Sequence, residues 1–224
     1  CYPLSNYPVP ALLSYCWVFP SLVPSSARHL LWFPVWWTVY IVFKDYTYQL
    51  NDSKTAYTFV SYNGNDSKIE IPSTLYGIPI TAIATSAFEN RALLKEVIIP
   101  DSVISIGYYA FRNCSSLTNI TIPDSVIWIG KDVFYNCPCM QMHYGIGYVG
   151  NWLVDGNTSE YYPSIKEDVV GIAAYAFYRN ANIRSITIPH SVKIIGEYAF
   201  YQCYNLITLH IGNGVISIGG RFDE

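Results

Sequence analysis

Residues 94–137 read LKEVIIPDSVISIGYYAFRNCSSLTNITIPDSVIWIGKDVFYNC, one block written twice. Pro100 and Pro123, Phe111 and Phe134, and Cys114 and Cys137 are each 23 residues apart. A third copy, IRSITIPHSVKIIGEYAFYQC, spans residues 183–203. Within a unit the apolar positions are Leu94, Val97, Ile99, Val103, Ile106, Ala110 and Phe111. No single unit buries such a set alone. Stacking units at the strand spacing of about 4.8 Å places like on like and closes a continuous core. Pro100, Pro123 and Pro189 end each first strand, because proline cannot donate to a ladder. Gly107 and Gly130 follow the second apolar pair, where a turn is expected to use positive φ. The segment 110–114 is too short for more than a helical or 3₁₀ turn. The block therefore predicts a β-rich solenoid, with short strands on both faces of the coil and short helical or 3₁₀ turns.

Outward from this stretch, the chain divides by composition. It has 224 residues, 51% hydrophobic and only 13% charged, with 21 Tyr. This length and make-up fit one elongated domain that uses Tyr and Thr where most proteins use charge. The net charge is −3 with no basic run, which argues against nucleic-acid binding. Six Cys in a chain of this length do not form a secreted disulfide framework.

Residues 1–44 stand apart as a hydrophobic leader interrupted by Pro20, Pro24 and Pro34. Its longest clean run, residues 30–43, is shorter than the roughly 20 residues of a spanning helix. A degraded export signal, a non-native leader and a membrane or interfacial segment all fit it, and poor order is expected. Membrane contact is expected only if this segment is a real anchor. Residues 45–71 read as a β-hairpin cap with turns at 51–54 and 63–66, which would close the open end of a solenoid. Rungs follow over 72–137, an irregular insert over 138–165, and rungs again over 166–224. The first residue is Cys and the chain stops partway through a repeat, so a fragment of a longer reading frame is expected.

The pattern L-x-x-I-x-I-P-x-S-V-x-x-I-G-x-x-A-F-x-x-C resembles the BspA-type leucine-rich repeat. Leu117, Ile120, Ile122, Pro123, Ser125, Val126, Ile129, Gly130, Phe134 and Cys137 carry it, and Val133 departs from its Ala. The resemblance covers about residues 45–222, and residues 48–83 resemble that family's N-terminal cap and first repeat. It implies a right-handed, leucine-rich-repeat solenoid, extracellular or on the cell surface, that binds host matrix proteins or other cells.

The candidate binding face consists of the outward strand residues between the core positions. These are Lys95, Glu96 and Ile98; Thr118, Asn119 and Thr121; Arg184, Ser185 and Thr187; and Ile207, Thr208 and His210. Stacked, they form a mixed polar ribbon with few charges, either a solvated sheet face or a surface for a protein partner. Trp128 and Trp152 are further outward aromatics, able to anchor a partner or to pack on the insert. Gly145-x-Gly147-x-x-Gly150 matches a dinucleotide fingerprint in spacing, but a turn-prone strand follows it where a helix is required, so a loop is expected. Cys137, Cys139, Met142 and His143 do not supply the four ligands of a zinc site. Cys114 and Cys137 are expected on adjacent rungs as inward thiols rather than as a disulfide. No catalytic residue, cofactor or metal is expected. The leading expectation is a non-enzymatic, adhesion-like interaction module. The alternatives are a structural spacer in a larger surface protein and, more remotely, an enzyme using the insert.

Overall fold

The structure is a computed structural model, and it describes residues 39–219. Eighteen strands and no helix form among the described residues. The repeat builds them in pairs. The L-x-x-I-x-I half of each unit gives β4 (Lys68–Glu70), β7 (Glu96–Ile98) and β9 (Asn119–Thr121), and later β15 (Ser185–Ile188) and β17 (Thr208–Ile211). The V-x-x-I half gives β8 (Ser105–Ile106), β10 (Trp128–Ile129), β14 (Gly171–Ile172), β16 (Ile194–Ile195) and β18 (Ser217–Ile218). The proline turn between the halves is closed by the Val103, Val126 and Val192 N–H groups, which donate to the carbonyls of Pro100, Pro123 and Pro189. Like strands pair in parallel and in register, 23 residues apart, as Val97 with Ile120 and Ile106 with Ile129. The parallel sheets of the solenoid follow directly from the sequence period.

The third side of each rung is a pair of tight turns. Ala110, Arg112 and Cys114 donate to Gly107, Tyr109 and Phe111, the i→i−3 pattern of a 3₁₀ segment. Two left-handed residues per rung keep it from becoming a helix: Ser86 and Asn90, Tyr109 and Asn113, Asp132 and Asn136, Tyr175 and Arg179, Tyr198 and Gln202. The glycines expected to supply positive φ do something else. Gly107, Gly130, Gly196 and Gly219 are absent from the left-handed positions and sit where rungs approach most closely. A Cβ on Gly107 would lie 2.4 Å from the Thr85 nitrogen, and one on Gly130 would lie 2.6 Å from that of Tyr108. Their N–H groups donate to Ile83 and Ile106 of the preceding rung. Glycine is selected here by clearance, not by φ.

Inside the coil the aromatic and thiol positions stack as ladders. Phe59, Phe88, Phe111 and Phe134 lie face to face at 4.8, 4.9 and 5.6 Å. The three repeat cysteines are buried, and Cys114 and Cys137 are not joined in a disulfide. Cys114, Cys137 and Cys203 each donate to a carbonyl one rung back, that of Phe88, Phe111 and Phe177, at 2.8–3.0 Å. Contact with Cys137, together with burial, pushes the Cys114 and Cys139 thiols far above the ordinary thiol range. Asn180 occupies the cysteine position of its own unit and is buried. Its amide donates to the carbonyls of Gly156 and Thr158, and its oxygen accepts from the N–H groups of Asn182 and Ile183.

The described chain contains two coils of the same plan. The first opens with an antiparallel meander, β1 (Val39–Phe43), β2 (Tyr46–Leu50) and β3 (Tyr57–Tyr62). β3 pairs in parallel with β6 (Ile78–Ile83), and the sheet continues through β8 to β10. β6 also carries a short antiparallel partner, β5 (Thr74–Leu75), across the lengthened first turn at Tyr76-Gly77. The second coil opens with β11 (Gln141–His143), β12 (Ile146–Val149) and β13 (Trp152–Asp155), and β13 pairs in parallel with β14. Tyr62 donates to Ala87 in the first coil, and Gly156 donates to Ala176 at the matching place in the second. β1 occupies residues grouped above with the leader; the rest of that segment, residues 1–38, lies outside the described residues, as do residues 220–224.

The insert thus holds a second meander, in which β11 is exposed and both faces of β12 and β13 are buried. Val149, Trp152 and Val154 join the core of the first coil, and Ile146, Tyr148 and Leu153 join that of the second. Neighbouring residues in a strand point to opposite sides, so β12 and β13 form a layer between two cores. Trp152, read from sequence as an outward aromatic, does leave its own sheet on the outer side, but the first coil covers it to 3% exposure. Its ring lies over Gly171, where a Cβ would come within 2.5 Å. The Gly145–Gly150 motif is two hairpin turns around β12, with Gly145 and Gly150 at positive φ.

Candidate functional site: the outward strand face

The face expected from sequence forms in two pieces. In the first coil, β4, β7 and β9 lie side by side. The ladder aligns Lys68, Glu96 and Asn119 in one column and Glu70, Ile98 and Thr121 in the next. Lys95 and Thr118 line up just before them, through the Thr118 N–H bond to the Lys95 carbonyl. Val97 and Ile69 between the columns point inward and are buried, as the alternation requires. In the second coil, Ser185 pairs with Thr208 and Thr187 with His210. Arg184 stands beside Ile207. β9 and β15 belong to different sheets, so the first six candidate residues and the last six do not share a ladder. The segment before β15 holds the position that β4 holds in the first coil: Tyr161 accepts from Arg184 and Ser185, and Ser164 bridges to Thr187.

The face is nearly neutral in effect as well as in composition. Lys68 reaches the Glu96 carboxylate at 2.8 Å, which cancels the one acid of the central column. Such an exposed pair contributes about 0–1 kcal/mol, and its consequence here is charge balance. Arg184 lies 4.9 Å over the Tyr161 ring. A shallow depression runs along β7 and β9, lined by Glu96, Val97, Ile98, Ile99, Asn119 and Thr121. Ile98 is exposed within it, an apolar point among hydroxyl and amide groups. Lys68, Glu70 and Tyr161 complete the face and were not expected on it. The signal for the first two was present, because KIEI at 68–71 repeats the x-I-x-I alternation of EVII at 96–99.

The other sequence candidates go elsewhere. Trp128 is half-buried, edge-on to Tyr108 at 5.2 Å. No group of three or more His, Cys, Asp or Glu among the described residues is placed to hold a metal ion. A water-sized cavity lies between the insert and the preceding rung, bounded by Asp132, Phe134, Tyr135, Met140, Val154 and Asp155. Burial raises the Asp155 carboxyl above the usual carboxylate range, with the Asp132 charge adding to it. No helix among the described residues is long and apolar enough to cross a membrane.

The family model for the BspA type leucine-rich repeat region matches in six copies, over residues 81–151 and 156–222. The chain belongs to the BspA-type leucine-rich repeat family. The break between the two matched spans, residues 152–155, coincides with β13, within the meander that opens the second coil. No curated protein matches the chain. Among solved structures, a leucine-rich repeat protein of T. pallidum is similar at 23% identity and a TM-score of 0.46, over 79% of this chain and 84% of that one. One from Bacteroides ovatus has 24% identity and a TM-score of 0.46, over 80% of this chain and 55% of that one. A leucine-rich cell surface protein of Faecalibacterium prausnitzii has 27% identity and a TM-score of 0.38, over 77% and 54%. The chain spans about half the length of the latter two.

Proposed function

We propose that the chain is a non-enzymatic interaction module of a surface or secreted protein. It binds a protein partner, such as a host matrix or cell-surface protein, through the outward side chains of β4–β7–β9 and β15–β17. The observation that carries this reading is the in-register stacking of polar residues, charged on β4 and β7 and uncharged on β9, around the exposed Ile98. Aligned polar columns with an apolar point give a partner fixed hydrogen-bonding positions on a stiff sheet, the common use of repeat surfaces. The balanced Lys68–Glu96 pair favours a partner recognised by shape and hydrogen bonds rather than by strong charge. Family membership supports a surface setting. The test is alanine substitution at Thr118, Arg184 and His210, read as adhesion of the purified chain to immobilised matrix proteins and to cells. A spacer reading draws on the buried layer between the coils, which joins them through packed side chains and stiffens the molecule. It predicts that the same substitutions leave adhesion unchanged.

A further inference from the structure

The ladder β4–β7–β9 stops at β9, and no strand among the described residues pairs with its far side. The Asn119 N–H donates to the Lys95 carbonyl at 3.0 Å. Alternate residues of a parallel strand face opposite edges. Asn119 and Thr121 therefore serve β7, and Ile120 and Ile122 turn their backbone groups to the open edge. The chain begins to follow this edge and then leaves it. Cys139 donates to the Leu117 carbonyl, but the residues that would form the next strand become β11, which pairs with β12. The core registers the departure. Ile120 and Ile122 are only half-buried, although both are inward positions. Their counterparts Val97, Ile99, Ile186 and Ile188 are 1%, 7%, 1% and 1% exposed. The break between the coils thus leaves an unpaired strand edge with two partly uncovered isoleucines, two residues apart.

We propose that the free edge of β9 receives an extended segment of a partner protein as an added parallel strand. The backbone of that segment would bond to Ile120 and Ile122, and apolar side chains at alternate positions would cover the same two residues. A strand fits where a helix does not, because the apolar points repeat every second residue and the edge offers backbone donors and acceptors. The outward neighbours Thr118, Asn119 and Thr121 are uncharged, so the segment reads as apolar-x-apolar with polar residues between. This site uses an edge and inward side chains, and is separate from the outward face described above.

The test uses the full chain and a fluorescent peptide, NIRSITIPH, copied from the regular rung at residues 182–190. Saturable binding by fluorescence polarisation is expected. Binding should weaken at least tenfold when the peptide carries Asp at its last two isoleucines. The same loss is expected when its Ser and Thr amides, which would face the edge, are N-methylated. On the protein, Ile120→Pro removes an edge N–H and should weaken binding tenfold, since proline is tolerated on edge strands. If that variant does not fold, the N-methylated peptide alone decides. Arg184→Ala and His210→Ala should leave peptide binding unchanged, which separates this site from the face used for adhesion. Absence of saturable binding, or equal binding of the N-methylated peptide, would overturn the proposal. So would a dimer, seen by light scattering, that Ile120→Pro dissociates, because the edge would then belong to a second copy of this chain.

Discussion

Two residues in each of the five rungs named above hold a left-handed backbone, and none of them is glycine. Such a conformation costs about 1–2 kcal/mol for most residue types. Asn tolerates it best, and Asn90, Asn113 and Asn136 also form a side-chain ladder, with Asn113 donating to Asn90 at 3.0 Å and Asn136 to Asn113 at 3.4 Å. Asn113→Val should lower stability by about 1–2 kcal/mol in urea unfolding, since a β-branched residue suits the left-handed region worst. Asn113→Gly should cost less, because it loses only the ladder bonds. Asp155 makes a pH-dependent case. Its folded pKa is raised by burial, so its contribution to stability is fullest below the unfolded carboxylate value and is lost as pH rises through the folded one. Asp155→Asn keeps an oxygen for the Asn157 N–H. It should raise the Tm near pH 7, and the gain should shrink as pH falls through the raised pKa. At this scale the sequence displayed the thiol positions by simple periodicity. It hid the left-handed tyrosines, because nothing in Tyr109, Tyr175 or Tyr198 favours positive φ. The stacking of rungs imposes it, as it imposes glycine at 107 and 130.

Among the elements, β12 and β13 contribute most to joining the molecule. A strand buried on one face alternates apolar and polar residues, as β3 does with Tyr57, Phe59 and Tyr62 buried and Thr58, Val60 and Ser61 half-buried. A strand buried on both faces is apolar throughout, and GIGYVGNWLV at 145–154 is such a run. Periodicity alone marks this segment as irregular; its role as a layer between two cores emerges only once both coils are placed. Trp152→Ala should cost about 3–5 kcal/mol, the usual range for emptying a buried aromatic site. Hydrogen exchange should then accelerate on both sides of the layer, at Phe134 as well as Phe177. Gly171→Ala should be comparably harmful through its clash with the same ring. Loss confined to one coil would show that the layer belongs to one core only.

Across the whole molecule, the two coils also meet through a tyrosine cluster. Tyr108 of the first coil donates to Glu197 of the second. Burial and that bond push its phenol well above the ordinary range, so the donor stays protonated at neutral pH. Lys131 lies 4.9 Å over Tyr178 from the opposite side of the junction. Tyr108→Phe should lower stability by about 1 kcal/mol, the net worth of a typical hydrogen bond. Solenoid architecture was legible from the 23-residue period alone, and the composition of the strand face from its alternation. The division of that face was not, because it depends on where the insert's strands pair.

The central claim is that the outward strand face binds protein, and triple substitution of Thr118, Arg184 and His210 by alanine addresses it most directly. These residues are exposed and lie on outward positions, so the fold should be kept, with the Tm within a few degrees of the parent. Adhesion to immobilised matrix proteins should fall at least tenfold in the folded variant. Adhesion equal to the parent, with the Tm unchanged, would contradict the account and leave the coil as a spacer.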